Sequence, residues 1–157
     1  MLNVADAAWW TRDGLGSACV FETPEVPFPS LGMNVRVLAP GEPNARYHRE
    51  AAPEDFLVLH GECVLLIDGE ERRLRAWDFV HCPPETDHAF VGAGDGPCVV
   101  VMVGARPARP YTYPVSEVAQ RYGTGVERET NDPTEAYAGT APFAERRPDP
   151  WDVLPWA

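Results

Sequence analysis

Two histidines and two glutamates, His48, Glu50, Glu54 and His88, are of the types and at the spacings that could do chemistry. His48 and Glu50 lie two residues apart, so on a β-strand both project from one face, and Glu54 adds a carboxylate four residues later. His88 follows the turn-forming run Pro83-Pro84-Glu85-Thr86-Asp87 and opens an apolar segment. On a strand facing that of His48, its imidazole completes a mixed nitrogen and oxygen site for a divalent ion, with Fe(II), Mn(II) and Zn(II) as candidates. Glu50 has two chemical roles open to it. As a fourth ligand it would make two carboxylates cancel the charge of the ion, which favours those ions over Cu. Left unligated, it is a general base beside an open coordination position.

Plainer roles compete for each residue. His48 and His88 could be hydrogen-bonded core histidines, although two separate spacing constraints point to ligation. Glu50 could pair with Arg46 or Arg49. His60 sits at a turn and His81 has the wrong parity, so both are expected to be structural or interfacial. Cys82 reads as a small core thiol, and Tyr47 as facing away from His48.

Something must hold these side chains in place. The seventeen prolines avoid residues 54–82 altogether, and that stretch holds short Val-, Leu- and Phe-rich segments at 55–59, 62–67, 72–75 and 78–80. Asp68-Gly69 is a strong two-residue hairpin signal. With further segments at 34–38, 45–50, 88–91 and 98–103, at least seven strands are expected between 34 and 104, which predicts a sandwich or barrel. The runs VLLI (64–67) and CVVVMV (98–103) are apolar on both faces, so a second subunit or the terminal segments must cover the outside. One helix is predicted over 115–122 from its apolar spacing and the Gly123 stop. Residues 125–157 read as an irregular arm docked by Phe143, Trp151 and Trp156.

Composition removes several function classes. The 157 residues carry 24 acidic and 13 basic side chains, for a formal charge of −11, which opposes binding to a phosphate backbone, so no nucleic-acid partner is expected. Every basic residue is Arg, so Schiff-base chemistry and a phosphate-loop lysine are excluded. Four scattered cysteines without a CxxC pair suggest reduced, buried thiols. No apolar run approaches the roughly 18 residues of a membrane span, and no leader-like N-terminus is seen, so a cytoplasmic protein without a membrane partner is expected.

Gly41, His48, Glu50, Glu54 and Gly61, the last two separated by six residues, resemble the first motif of the cupin superfamily. Trp77-Asp78, Pro83-Pro84, Glu85 and His88 are similar in spacing to the second. The segments at 47–50 (YHRE) and 77–84 (WDFVHCPP) resemble those of small single-domain cupins. The resemblance implies an all-β fold, the cupin double-stranded β-helix or jelly-roll barrel, over residues 34–106. Residues 1–33 would be an N-terminal extension packing on it, and 107–157 a short helix with an irregular C-terminal arm. It further implies a homodimer with an ion in each barrel, held by His48, Glu54 and His88, a two-histidine, one-carboxylate set associated with non-haem iron(II). Glu50 stands where the motif has a second histidine, and Glu85 where it has a glycine. The expected function is metal-dependent chemistry on a small organic molecule, dioxygenase-type or isomerase-type, in a pocket walled by Phe56, Val58, Leu65 and Phe90. The alternative is a non-catalytic cupin that binds a metabolite or ion, as a sensor or storage module.

Overall fold

The computed structural model describes residues 1–106 and 110–157. Among them are strands β1 (Trp9–Thr11), β2 (Ser17–Val20), β3 (Leu31–Leu38), β4 (Arg49–Glu50), β5 (Glu54–His60), β6 (Glu62–Ile67), β7 (Glu70–Arg75), β8 (Phe79–Cys82), β9 (His88–Ala93), β10 (Cys98–Ala105), β11 (Tyr111–Thr112) and β12 (Ala144–Glu145). The helices are α1 (Glu117–Arg121) and α2 (Pro133–Ala136). No helix among the described residues is long and apolar enough to cross a membrane.

Two antiparallel sheets make the barrel. One runs β12-β1-β2-β3-β10-β5-β8 and the other β7-β6-β9, with β4 and β11 pairing separately. Between the sheets lies a core of Leu38, Phe56, Val58, Cys63, Leu65, Cys82, Phe90, Cys98, Val100 and Met102. Both doubly apolar strands are covered from outside by other segments of the same chain. Val64 and Leu66 pack with Tyr47, Val91 and the α1 residues Val118 and Ala119. Val99, Val35 and Val37 pack with Trp9 and Leu154, flanked by Trp151 and Trp156.

The Asp68-Gly69 turn forms as expected, with φ of 47° and 81°, both in the left-handed region that this tight hairpin requires. Strand 45–50 is much shorter than expected. Only Arg49 and Glu50 remain a strand, with β11. The preceding backbone turns to the C-terminal arm instead, since Arg46 N donates to the Tyr137 hydroxyl (3.1 Å) and Tyr47 N to the Thr124 carbonyl (3.0 Å). The helix is also shorter at its start, where the Ser116 hydroxyl caps Ala119 N and leaves Val115 exposed. The arm is not irregular throughout: α2 forms behind its Asp132 cap, and β12 pairs with β1.

Glu85, which stands where the motif has a glycine, and Trp77 both hold left-handed backbone, with φ of 66° and 77°. A side chain there costs about 1 kcal/mol. The ring of Trp77 is three-quarters exposed, and its N–H, which survives substitution, donates to the Val58 carbonyl at 2.7 Å. Trp77→Gly is therefore expected to raise the melting temperature by about 2–4 °C in differential scanning calorimetry. Glu85→Gly should gain less, because it gives up the ion pair with Arg49 (3.4 Å).

Candidate metal centre

The site is built by strand parity. Tyr47 and His48 are neighbours facing opposite ways: Tyr47 is buried in the outer cluster, where its hydroxyl accepts from Gly69 N at 3.0 Å. His48 is thereby turned inward. It pairs with His88 by two backbone bonds, His48 N to the His88 carbonyl (3.1 Å) and His88 N to the His48 carbonyl (2.8 Å). Their ring centroids lie 5.0 Å apart. Glu54 enters from the opposite sheet at the start of β5, beside Gly104 of β10. A Cβ at Gly104 would lie 3.5 Å from the Glu54 carboxylate, in ordinary contact, so the two strands meet closely here.

Nδ1 of His48 donates to the Arg46 carbonyl at 2.7 Å, and Nδ1 of His88 to the Thr86 carbonyl at 3.0 Å. A carbonyl oxygen only accepts, so both Nδ1 atoms carry protons and both Nε2 atoms are left for the cavity. His88 Nε2 lies 3.1 Å from Glu54 Oε2. A neutral ring would there oppose a lone pair to a carboxylate, so the pair demands a proton or a cation. One donor atom from each of His48, Glu54 and His88 lies within 4.8 Å of the others, and oriented imidazoles with a carboxylate are a donor set that fits a divalent ion. Glu50 is outside this set, although its Oε1 is 3.4 Å from His48 Nε2. Neither of its expected arginine pairings occurs. Arg46 donates to the Ala136 and Gly123 carbonyls, and Arg49 pairs with Asp87 at 3.0 Å.

His88 is only 2% exposed. Burial pulls its pKa down, but the hydrogen bond and charge of Glu54, the Thr86 carbonyl and Glu50 outweigh this and hold it above the ordinary imidazole value of 6.5. The sign of the pH dependence follows. Stability from this proton is fully present below the unfolded value of about 6.5 and is lost as pH rises through the raised folded value. The metal-free protein in chelator should therefore melt at progressively lower temperature as pH climbs through that window. Affinity for a divalent ion should rise over the same window, as the competing proton leaves.

The remaining expectations divide. His81 is exposed and pairs with Asp55 at 2.7 Å, away from the site. Cys82 is a buried core thiol whose pKa is pushed up to about 12, chiefly by burial and then by the charge of Glu54. Phe56, Val58, Leu65 and Phe90 are all core residues, but the apolar pocket wall expected of them is corrected: only Phe56 of the four reaches the cavity. That cavity, about 470 Å³, is polar where it meets the β3 face, through Asn34 and Arg36, with Tyr111, Tyr113 and Tyr137 at its rim. Alternation along 34–38 was the signal that could have found Asn34 and Arg36.

A family model described as a cupin domain matches residues 34–104. These residues are a cupin domain. A comparison with curated proteins finds no match. Among solved structures, the chain resembles a sugar phosphate isomerase of the cupin superfamily from Silicibacter pomeroyi, with a TM-score of 0.62 and 21% identity over 71% of this chain and 78% of that one. It also resembles the polyketide cyclase RemF from Streptomyces resistomycificus (0.60, 12% identity, 71% and 82% covered). A third likeness is to a predicted oxalate decarboxylase from Thermotoga maritima (0.58, 15% identity, 67% and 97% covered). At these identities the likeness is one of fold.

Proposed function

We propose that this cupin is a metal-dependent enzyme that moves a proton on a small organic molecule, isomerase-type chemistry, with His48, Glu54 and His88 as metal ligands and Glu50 as the base. One observation carries the reading: two tautomer-fixed Nε2 atoms and a carboxylate converge in a cavity, with a second carboxylate beside them and outside the set. A bound divalent ion, Fe(II), Mn(II) or Zn(II), supplies Lewis-acid polarisation of a carbonyl or enolate oxygen. Glu50, 11% exposed and without an arginine partner, takes the proton from the carbon next to that carbonyl on its carboxylate and returns it. Tyr113 and Tyr111, with ring centroids 5.9 and 6.4 Å from that of His48, wall the site against water. Among the fold neighbours, one is by its own name an isomerase and another a cyclase.

The two-histidine, one-carboxylate set also favours a second reading, dioxygenase-type chemistry on iron(II). Exchange of a substrate C–H for solvent deuterium without oxygen uptake, across a panel of small carbonyl compounds, is expected from the first. Oxygen consumption with iron(II) would replace it with the second. Protein purified without added metal should contain close to one divalent ion per chain. Less than about half an equivalent, with none retained after refilling and desalting, would overturn both. A loaded protein silent in both assays would be the ion- or metabolite-binding module. The homodimer implied by the cupin resemblance belongs to the same reading and is checked by light scattering.

A further inference from the structure

Arg36 is a cation without an anion. It lies on the barrel-facing side of β3 with Asn34, and its Nε is buried with no hydrogen-bond partner, as is Asn34 Oδ1. Strand register orders this sheet in rows. Gly32, Gly104 and Glu54 form the row at the metal end, Asn34, Met102 and Phe56 the next, and Arg36, Val100 and Val58 the third. Arg36 is thus two rows from the ligand set, about 13 Å along the strands at about 3.3 Å per residue, a gap that its long side chain shortens.

Arg12 joins it. Both guanidinium-bearing residues line a second cavity of about 620 Å³ that shares Arg36, Asn44, Pro133 and Tyr137 with the metal cavity. Arg12 Nε is likewise buried without a partner, and its guanidinium carbon lies 4.2 Å from the Phe143 ring centroid and 5.1 Å from that of Tyr137. Among the described residues, neither arginine has a carboxylate within 4 Å, whereas Arg49, Arg72, Arg106, Arg121, Arg128 and Arg146 all do. In a chain with 24 acidic residues, two neighbouring cations share a cavity wall and leave buried N–H groups unmet. Unmatched buried donors and charge are costly, and a bound anion removes both costs. The rings under Arg12 hold its plane in place, which suits the two-pronged recognition of carboxylate or phosphate.

We propose that Arg36 and Arg12 form an anion subsite at the far end of the cavity, so that the substrate is a small organic acid or phosphate ester whose charged end sits on Arg36. Asn34 Oδ1, in the row between, accepts a hydrogen bond from a hydroxyl or amide in the middle of that molecule. The substrate assignment rests on the metal-dependent reading above, but the subsite is tested without it. Inorganic phosphate and malonate are titrated separately by calorimetry into full-length protein stripped of metal by chelator and desalted.

Binding of either probe, weakened at least about 10-fold in Arg36→Met and less in Arg12→Met, is the expected result. A preference for phosphate or for malonate then assigns the ester or the acid. Arg121→Met, at a surface pair with Glu71, is the control that leaves binding unchanged. Absence of binding by both probes at millimolar concentration, or binding unaltered in Arg36→Met with an unchanged melting curve, would overturn the subsite. Should Arg36→Met unfold, Arg36→Lys, which keeps the charge but not the planar fork, must show intermediate affinity. Glu54→Gln keeps the anion and loses the metal if the proposal holds, so failure at one end is distinguished from failure at the other.

Discussion

Glu54→Gln is expected to lower affinity for a divalent ion by at least about 100-fold while leaving the fold intact. The amide keeps the volume of the carboxylate next to Gly104 and can donate to His88 Nε2, so the buried ring stays satisfied while the charge that attracts a cation is gone. His88→Ala should lose the ion equally and cost stability as well. It opens a cavity against Phe56, whose ring centroid is 5.2 Å from that of His88, and leaves Glu54 without its partner, a change of about 3 kcal/mol or more. Elemental analysis with calorimetric titration of Mn(II) or Zn(II) reads the ion, and thermal melts read the fold. Retention of full affinity by Glu54→Gln would remove Glu54 from the ligand set.

Glu50→Gln separates base from ligand. If Glu50 serves as the base, the variant holds its ion within about 2-fold of the parent, while exchange of substrate protons with solvent falls by 10²–10⁴, the usual contribution of a positioned general base, in order-of-magnitude terms. Were Glu50 a fourth ligand, affinity would fall alongside exchange, as for Glu54→Gln. The geometry favours the former outcome, because the Glu50 carboxylate lies 3.4 Å from His48 Nε2 but outside the three-residue group, and its backbone is tied from behind: its own carbonyl accepts from Glu85 N at 2.8 Å.

Most of this centre was legible in the sequence because strand parity is binary. Tyr47 out and His48 in, then Glu54 at the head of a proline-free strand, required only alternation and a turn before His88. Parity alone does not say which of two differing faces is inward. Along β3 the polar residues Asn34 and Arg36 face the barrel, while Val35 and Val37 face out under the terminal tryptophans, the reverse of the usual assignment. That inversion was hidden because the cover for the outer face is assembled from both ends of the chain, Trp9 with Trp151, Leu154 and Trp156. The shortening of strand 45–50 has the same origin, since the Tyr137 hydroxyl and the Thr124 carbonyl take its backbone groups. Trp77 and Glu85 mark a different limit: motif spacing was retained while the backbone conformation that favours glycine was kept by other residues.

The returning arm also sets an order of assembly. Trp9 is stacked by Trp156 at 5.6 Å and met edge-on by Trp151 at 5.8 Å, and Pro133 and Tyr137 of the same arm line the cavity over His48 and His88. A ribosome that has delivered His48, Glu54 and His88 has therefore not yet delivered the cavity's last wall. The cavity is complete only when the tail has been synthesised and laid back over the first strand, and far-separated pairings of this kind slow folding.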